Sequence, residues 1–407
     1  MRKPLLVLCA LVLQCFSAGA DETTLKSLYD SHQWFELRKA SRNRDTPNFY
    51  KGAVACTFNR VNECKKKLVE VIRSSLFSEQ AREAHLILIS TYLRVGRYRE
   101  VLLQLDQMLA AHPDDLEVKQ ARKNLAALKL QNQTVSKRSL SRVIARPQGG
   151  NLAIAVSING HPANYIVDTG SLSSVLSESE ARRLGMTILD LGKTSASING
   201  LPFRVAVADT LAAGNFHLEH VAFLVFPDKE QPFVELPAGE RGIIGLPVLL
   251  AFRKFSWTSD GTFEIGPKYQ HGPHSDLAFN GSYNGQVPVT EMRFQETTLT
   301  FMLDLGAETT DLYQHFANRF PRMVSELGSK ESKTLNTIGR TENLDSITIP
   351  QVEFSLAGLL VKLNPAHILG PEVGGDSRFF DGNLGMDLLN QSKRVTVDFK
   401  AMTLILE

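Results

Sequence analysis

Two aspartates of the 407-residue chain, Asp168 and Asp304, each end an apolar run and stand two residues before a glycine. The stretches are Asn164-Tyr165-Ile166-Val167-Asp168-Thr169-Gly170-Ser171 and Thr300-Phe301-Met302-Leu303-Asp304-Leu305-Gly306-Ala307. Glycine admits the sharp turn that would present such a carboxylate at a strand end. Held about 3 Å apart, two carboxylates repel by about 5 kcal/mol at an effective dielectric of about 20, or roughly 4 pKa units, so one proton is shared across the pair. The ionised member can then take a proton from a water held between them while the protonated member polarises an amide carbonyl. Such a pair hydrolyses a peptide bond by direct attack of water and needs no metal or cofactor. The plain alternative for either residue is an Asx turn onto the adjoining backbone.

The residues after each aspartate also correspond. Val175-Leu176 and Asp311-Leu312 each lead into a short helical pattern, Ser177 to Leu184 with a Ser177/Glu180 capping box, and Tyr313 to Phe320. After the helices the offset grows from 136 to 140: Lys193-Thr194 and Ile198 match Lys333-Thr334 and Ile338, and Gly242-Ile243-Ile244-Gly245-Leu246 matches Gly382-Asn383-Leu384-Gly385-Met386. A repeat of this length is a duplicated domain rather than a solenoid unit. Two equivalent lobes imply a pseudo-twofold axis, near which equivalent residues approach each other. Asp168 and Asp304 are the pair expected there.

The rest of the chain must position that pair. Met1-Arg2-Lys3-Pro4, the apolar Leu5 to Phe16 and the small Ala18 and Ala20 predict a signal peptide over 1–20. The apolar run is too short to span a membrane, so the expectation is an exported protein, periplasmic or secreted, without stable membrane insertion. Losing Arg2 and Lys3 leaves 43 basic residues against 43 acidic ones, and nothing in that balance suggests a nucleic acid partner. Cys56 and Cys64 would then sit in an oxidising compartment. On one continuous helix they would stand about 12 Å apart, too far to bridge. A turn near Asn59 to Asn62 would make a helical hairpin and permit a disulfide. Two free buried thiols are the alternative.

Residues 21–131 are helical in pattern. Within them Leu88, Tyr92, Gly96, Tyr98, Leu105 and Pro113 resemble the signature of a tetratricopeptide repeat over Arg82 to Asp115, with a diverged repeat expected before it and a capping helix after it. Such a domain offers a face for a protein partner, or supports the lobes C-terminal to it. The basic stretch 132–150 reads as a solvated linker. From Asn151 onward, short β-branched runs between Gly, Pro and Asn turns predict two all-β, barrel-like lobes, 151–270 and 286–407, joined by a linker over 271–285. His217-x-x-His220 and His271-x-x-His274 lack a third ligand, so no metal site is expected.

The two Asp-centred motifs, each followed by a helix and a Gly-x-x-Gly stretch, resemble the retropepsin branch of aspartic proteases over about Asn151 to Glu407. Met302 to Thr309 is similar to the retroviral form of the motif, in which Ala also follows the Gly. The resemblance implies a peptide or protein substrate, Asp168 and Asp304 as the catalytic dyad, and Thr169, Gly170, Ser171 and Gly306 as its support. The chain looks like two fused retropepsin-type lobes, which favours a monomeric pseudo-dimer. With no pepsin-type flap Tyr between Ile166 and Lys268, the flap tips fall on Ile198-Asn199-Gly200 and Ile338-Gly339. Family members bond across the dyad through the Thr after each Asp, whereas here Thr169 faces Leu305. With Ser171 in one lobe and Ala307 in the other, Asp168 is expected to be the better-supported and more readily ionised member. The rivals are a pseudo-protease that clamps a peptide without cutting it, and a homodimer pairing Asp168 of two chains.

Overall fold

The computed structural model describes residues 21–189, 197–198, 200–268, 272–281, 286–373 and 375–407. The signal-peptide expectation and Asn199 lie outside them, as do parts of the inter-lobe stretch.

In lobe 1, Asn151–Ile158 and His161–Val167 form a hairpin, paired from Ala153↔Ile166 to Ile158↔His161. Its turn, Asn159-Gly160, has both residues left-handed, at φ 49 and 81, as a tight hairpin turn requires. Lobe 2 repeats the unit with Pro288–Phe294 and Thr297–Leu303. The second strand of each hairpin then takes a short parallel neighbour, matching Ile166 with Ile243 and Met302 with Asn383. These partners differ by 136 and 140, the offsets seen in the sequence. The helix Glu178–Arg183 is capped by Ser177, whose hydroxyl accepts from the Glu180 N–H. Its counterpart Gln314–Arg319 is succeeded by an added helix, Pro321–Leu327, where lobe 2 carries its extra residues.

The lobes join through one antiparallel sheet. Lys254–Thr258 pairs with Arg394–Asp398, and the equivalent residues Ser256 and Thr396 face each other at its centre, where the pseudo-twofold axis passes. Thr262–Ile265 and Thr403–Leu406 flank this pair symmetrically. The outermost strands are Ser141–Gln148 and Ser275–Phe279.

Both of those strands correct the sequence reading. Residues 132–150 are not a solvated linker: Thr134–Lys137 pairs with Phe216–Phe226, and Ser141–Gln148 pairs with both Thr262–Ile265 and Asn151–Ile158. The period-2 alternation buries Ser141 and Ala145 and turns Arg142 and Arg146 outward, where Arg142 Nε donates to Glu264 at 2.6 Å. Exposed arginines on an edge strand imitate a hinge. The described part of 271–285 is likewise structural, since Ser275–Phe279 also pairs with Pro288–Phe294.

Residues 21–131 form seven helices, from Glu22–Asp30 to Leu116–Ala127. Asn48–Thr57 and Val61–Ser74 make a hairpin that brings the Cys56 and Cys64 Cα atoms to 4.9 Å, and the disulfide is formed. Closing so short a loop stabilises by about 2–3 kcal/mol. Replacing both cysteines by serine is therefore expected to lower denaturant stability by that amount, measured against the oxidised protein.

The helical region does not hang free. Arg94 is buried at its junction with lobe 2, where it lies 3.9 Å over the Phe279 ring, donates to Gln286 Oε1 at 2.6 Å and reaches the Cys56 carbonyl at 3.0 Å. Trp34 donates to Asn280, Asn59 to the Phe399 carbonyl, and Arg38 pairs with Asp276. One apolar cluster runs from Trp34, Leu88 and Tyr92 into Ala278, Val289, Tyr313 and Phe380 of lobe 2. Among the described residues no helix is long and apolar enough to cross a membrane.

Candidate active site

Each aspartate is held by equivalent backbone bonds. The Asp168 N–H donates to the Ile244 carbonyl and the Asp304 N–H to the Leu384 carbonyl, both at 3.0 Å. Behind each loop, Leu246 N–H donates to Ser171 O and Met386 N–H to Ala307 O, both at 2.9 Å. Gly245 and Gly385 allow this approach, since a Cβ there would stand 2.4 Å from Ser173 O and 2.6 Å from the Thr309 carbonyl.

The loops then meet across the axis. A Cβ on Gly170 would lie 2.7 Å from Asp304 Oδ1, and one on Gly306 would lie 2.4 Å from Asp168 Cγ. Each glycine is thus the surface against which the other lobe's carboxylate rests. Gly170 and Ser171 N–H donate to Asp168 Oδ1 at 2.7 and 3.1 Å, and Gly306 N–H donates to Asp304 Oδ1 at 2.9 Å. The Ser171 hydroxyl turns away to donate to the Ser173 carbonyl at 2.7 Å, so its expected help to Asp168 comes from the backbone alone.

Thr169 is not left unpartnered. Its buried hydroxyl donates to the Leu303 carbonyl at 2.6 Å and accepts from the Leu305 N–H at 3.0 Å. One threonine therefore fastens both loops, while Leu305 fills the reciprocal position as an apolar, fully buried side chain. Thr169→Val would strip partners from a buried donor and a buried acceptor. The expected loss is about 2–4 kcal/mol of unfolding free energy, read by urea titration.

The flap candidates come together as well. Ser329–Thr337 and Arg340–Ile349 form a long hairpin with Ile338-Gly339 at its tip, while lobe 1 has only the short pair Ser197–Ile198 and Leu201–Pro202, with Gly200 in its turn. Gly339 sits against Leu201, where a Cβ would be 2.6 Å from Leu201 Cδ2. Ile338 packs on the lobe 1 cluster of Ile166, Val175, Phe226, Phe233 and Ile243. Exposed Ile198 remains at the lobe 1 tip.

Residues 154–248 match a family model described as aspartyl protease. The first β lobe thus resembles aspartyl proteases. Among solved structures, a retropepsin-like aspartic protease from Rickettsia conorii shares 19% identity, covering 33% of this chain and 97% of that one, with a TM-score of 0.23. An aspartic proteinase from Irpex lacteus shares 12% identity, covering 65% and 96%, with a TM-score of 0.40. A comparison with curated proteins gives no match.

In this aspartyl-protease-like frame, lobe 2 replaces its missing support with a residue that motif reading passed over. Asn383 Nδ2 donates to Asp304 Oδ2 at 2.9 Å, whereas its lobe 1 equivalent is Ile243. The signal was a lone polar residue in an otherwise apolar strand position of the repeat. The two carboxylates titrate as one pair. Desolvation and the neighbouring Asp304 charge push Asp168 well above the usual carboxylate range, although two N–H bonds pull the other way. Asp387 is structural, accepting from the Thr310 N–H and hydroxyl at 2.9 and 2.6 Å.

Proposed function

We propose that the chain is an aspartic endopeptidase in which Asp304 acts as the base toward a bridging water and Asp168, holding the shared proton, polarises the scissile carbonyl. The observation that carries this reading is the reciprocal seating of each carboxylate on the opposite lobe's glycine. Two side chains so placed, with Asp168 pushed up by burial and by its partner, fit a one-proton pair. Asn383 donating to Asp304 favours the ionised form there, which suits the assignment.

The seating also speaks against the two rivals. A homodimer through Asp168 would have to displace Asp304 from the place it fills. A peptide clamp would have no need of a mutually repelling carboxylate pair. The disulfide fits an oxidising compartment, so we read the protein as exported. The helical region, a set of tetratricopeptide-like hairpins in this reading, braces lobe 2 and leaves its outer face for a protein partner.

The test is cleavage of a mixed peptide library between about pH 3 and 7 by the chain from Asp21 onward, with a pepstatin-type inhibitor and an Asp304→Asn arm. Inhibitor-sensitive cleavage that vanishes in Asp304→Asn supports the intramolecular pair. Cleavage that survives in Asp304→Asn would move the site into a dimer, and no cleavage by a folded protein would leave a binding module.

A further inference from the structure

The duplication allows each cleft position to be compared with its twin, and one row differs in kind. In lobe 1, Val175 pairs with Ile243 on one side and with Leu224 on the other. In lobe 2, the same strands pair Asp311 with Asn383 on one side and with His367 on the other. Residues directly opposite across strands share a face of the sheet. An aliphatic row in one lobe is therefore a hydrogen-bonding row in the other.

The lobe 2 row faces the carboxylates, because Asn383 reaches Asp304 from it. Its charges are already matched. Lys333, on the first strand of the flap hairpin, pairs with Asp311 and donates to Thr309 Oγ1 at 2.9 Å. His367 Nδ1 lies 3.1 Å from Thr348 Oγ1. Asn383 Oδ1, in contrast, is a buried acceptor with no partner among the described residues. Leaving such an atom unpaired is a cost that a donor from a bound molecule would recover. The lobe 1 row lies instead in the apolar cluster with Phe226 and Phe233, covered by Ile338.

We propose that the cleft is two-faced: the lobe 1 row takes a large apolar side chain of the bound peptide, and the lobe 2 row takes a carboxamide side chain, Gln or Asn. A carboxamide supplies an N–H for Asn383 Oδ1 and an oxygen for the Lys333 ammonium, which has three donors. A free carboxylate or ammonium would meet the Asp311–Lys333 pair with one partner of its own sign. This inference rests on the peptide-binding half of the proposed function and not on catalysis.

The test uses the mature chain carrying Asp168→Asn, immobilised and exposed to a randomised octapeptide library, with retained peptides sequenced. The expected profile enriches apolar residues at one position and Gln or Asn at another. Giving lobe 2 apolar residues with Asp311→Val and Lys333→Met is expected to lower the carboxamide enrichment at least tenfold in favour of aliphatic residues. His367→Leu serves as the milder second variant if that pair fails to fold. Aliphatic enrichment at both positions in the unsubstituted cleft, an unchanged profile in folded variants, or no retained peptide would each overturn the proposal. The two-faced profile in a protein that cleaves nothing would sustain this inference while removing the endopeptidase reading.

Discussion

Gly306→Ala is expected to abolish peptide cleavage while leaving a folded protein. A methyl group at residue 306 would be placed 2.4 Å from Asp168 Cγ and 2.6–2.7 Å from both its oxygens, far inside van der Waals contact. Neither side can give way cheaply, since Asp168 is tied by the Gly170 and Ser171 N–H groups and residue 306 by its bond to Asp304. The loops must spread, and a displacement of about 1 Å at reacting groups costs roughly 100-fold in rate. With both carboxylates disturbed, kcat/KM should fall by about 1,000-fold or more, against a stability loss of about 1–3 kcal/mol. Gly170→Ala should act likewise through Asp304, 2.7 Å from the added atom. Gly272, which has no atom within 4 Å of a Cβ and an ordinary φ, provides the control. Near-normal turnover in Gly306→Ala would mean that the two loops do not act as one site.

The parts of this architecture that obey local rules were legible in the sequence. The strand-Asp-turn-helix unit was visible because apolar runs, glycine and the Ser177 cap are read within a few residues. The duplication made the offset of 136 to 140 a geometric statement, and the facing of Ser256 and Thr396 results from it. Cys56 and Cys64 needed only a turn between two helices.

What escaped was set by partners distant in the chain. Ser141–Gln148 looked like a basic hinge because its arginines are solvated, and only the neighbours Thr262–Ile265 and Asn151–Ile158 make it a strand. Thr169 faces Leu305, which has no hydroxyl, yet its own hydroxyl uses the Leu305 backbone N–H, which any residue other than proline provides. Asn383 lies 79 residues from Asp304, so no spacing rule connects them. The Arg94 junction joins residues of the helical region to Gln286 across 192 positions and turns a domain that could have been a loose appendage into a brace for lobe 2.

Asp168→Asn should separate activity from stability in opposite directions. Asp168 is half-buried beside Asp304, and desolvation together with that charge raises its folded value well above the 3.8 of an unperturbed aspartate. A group whose folded value is raised binds its proton more tightly when folded. Its stabilising contribution is therefore complete below the unfolded value and is lost as pH climbs through the raised one. At neutral pH the native pair carries charge that the fold resists. Asparagine keeps the shape, still accepts from the Gly170 and Ser171 N–H groups, and has no charge to desolvate. The variant should melt higher than the parent near pH 7, and the difference should shrink toward about pH 4, where the folded parent holds its proton at little cost. Cleavage should meanwhile fall by about 1,000-fold or more, because a group that must hold and return the shared proton has gone. Paired thermal melts at the two pH values decide the matter. A variant that melts lower than the parent at pH 7 would show that Asp168 sits there as a stabilised carboxylate, and would return the role of base to it.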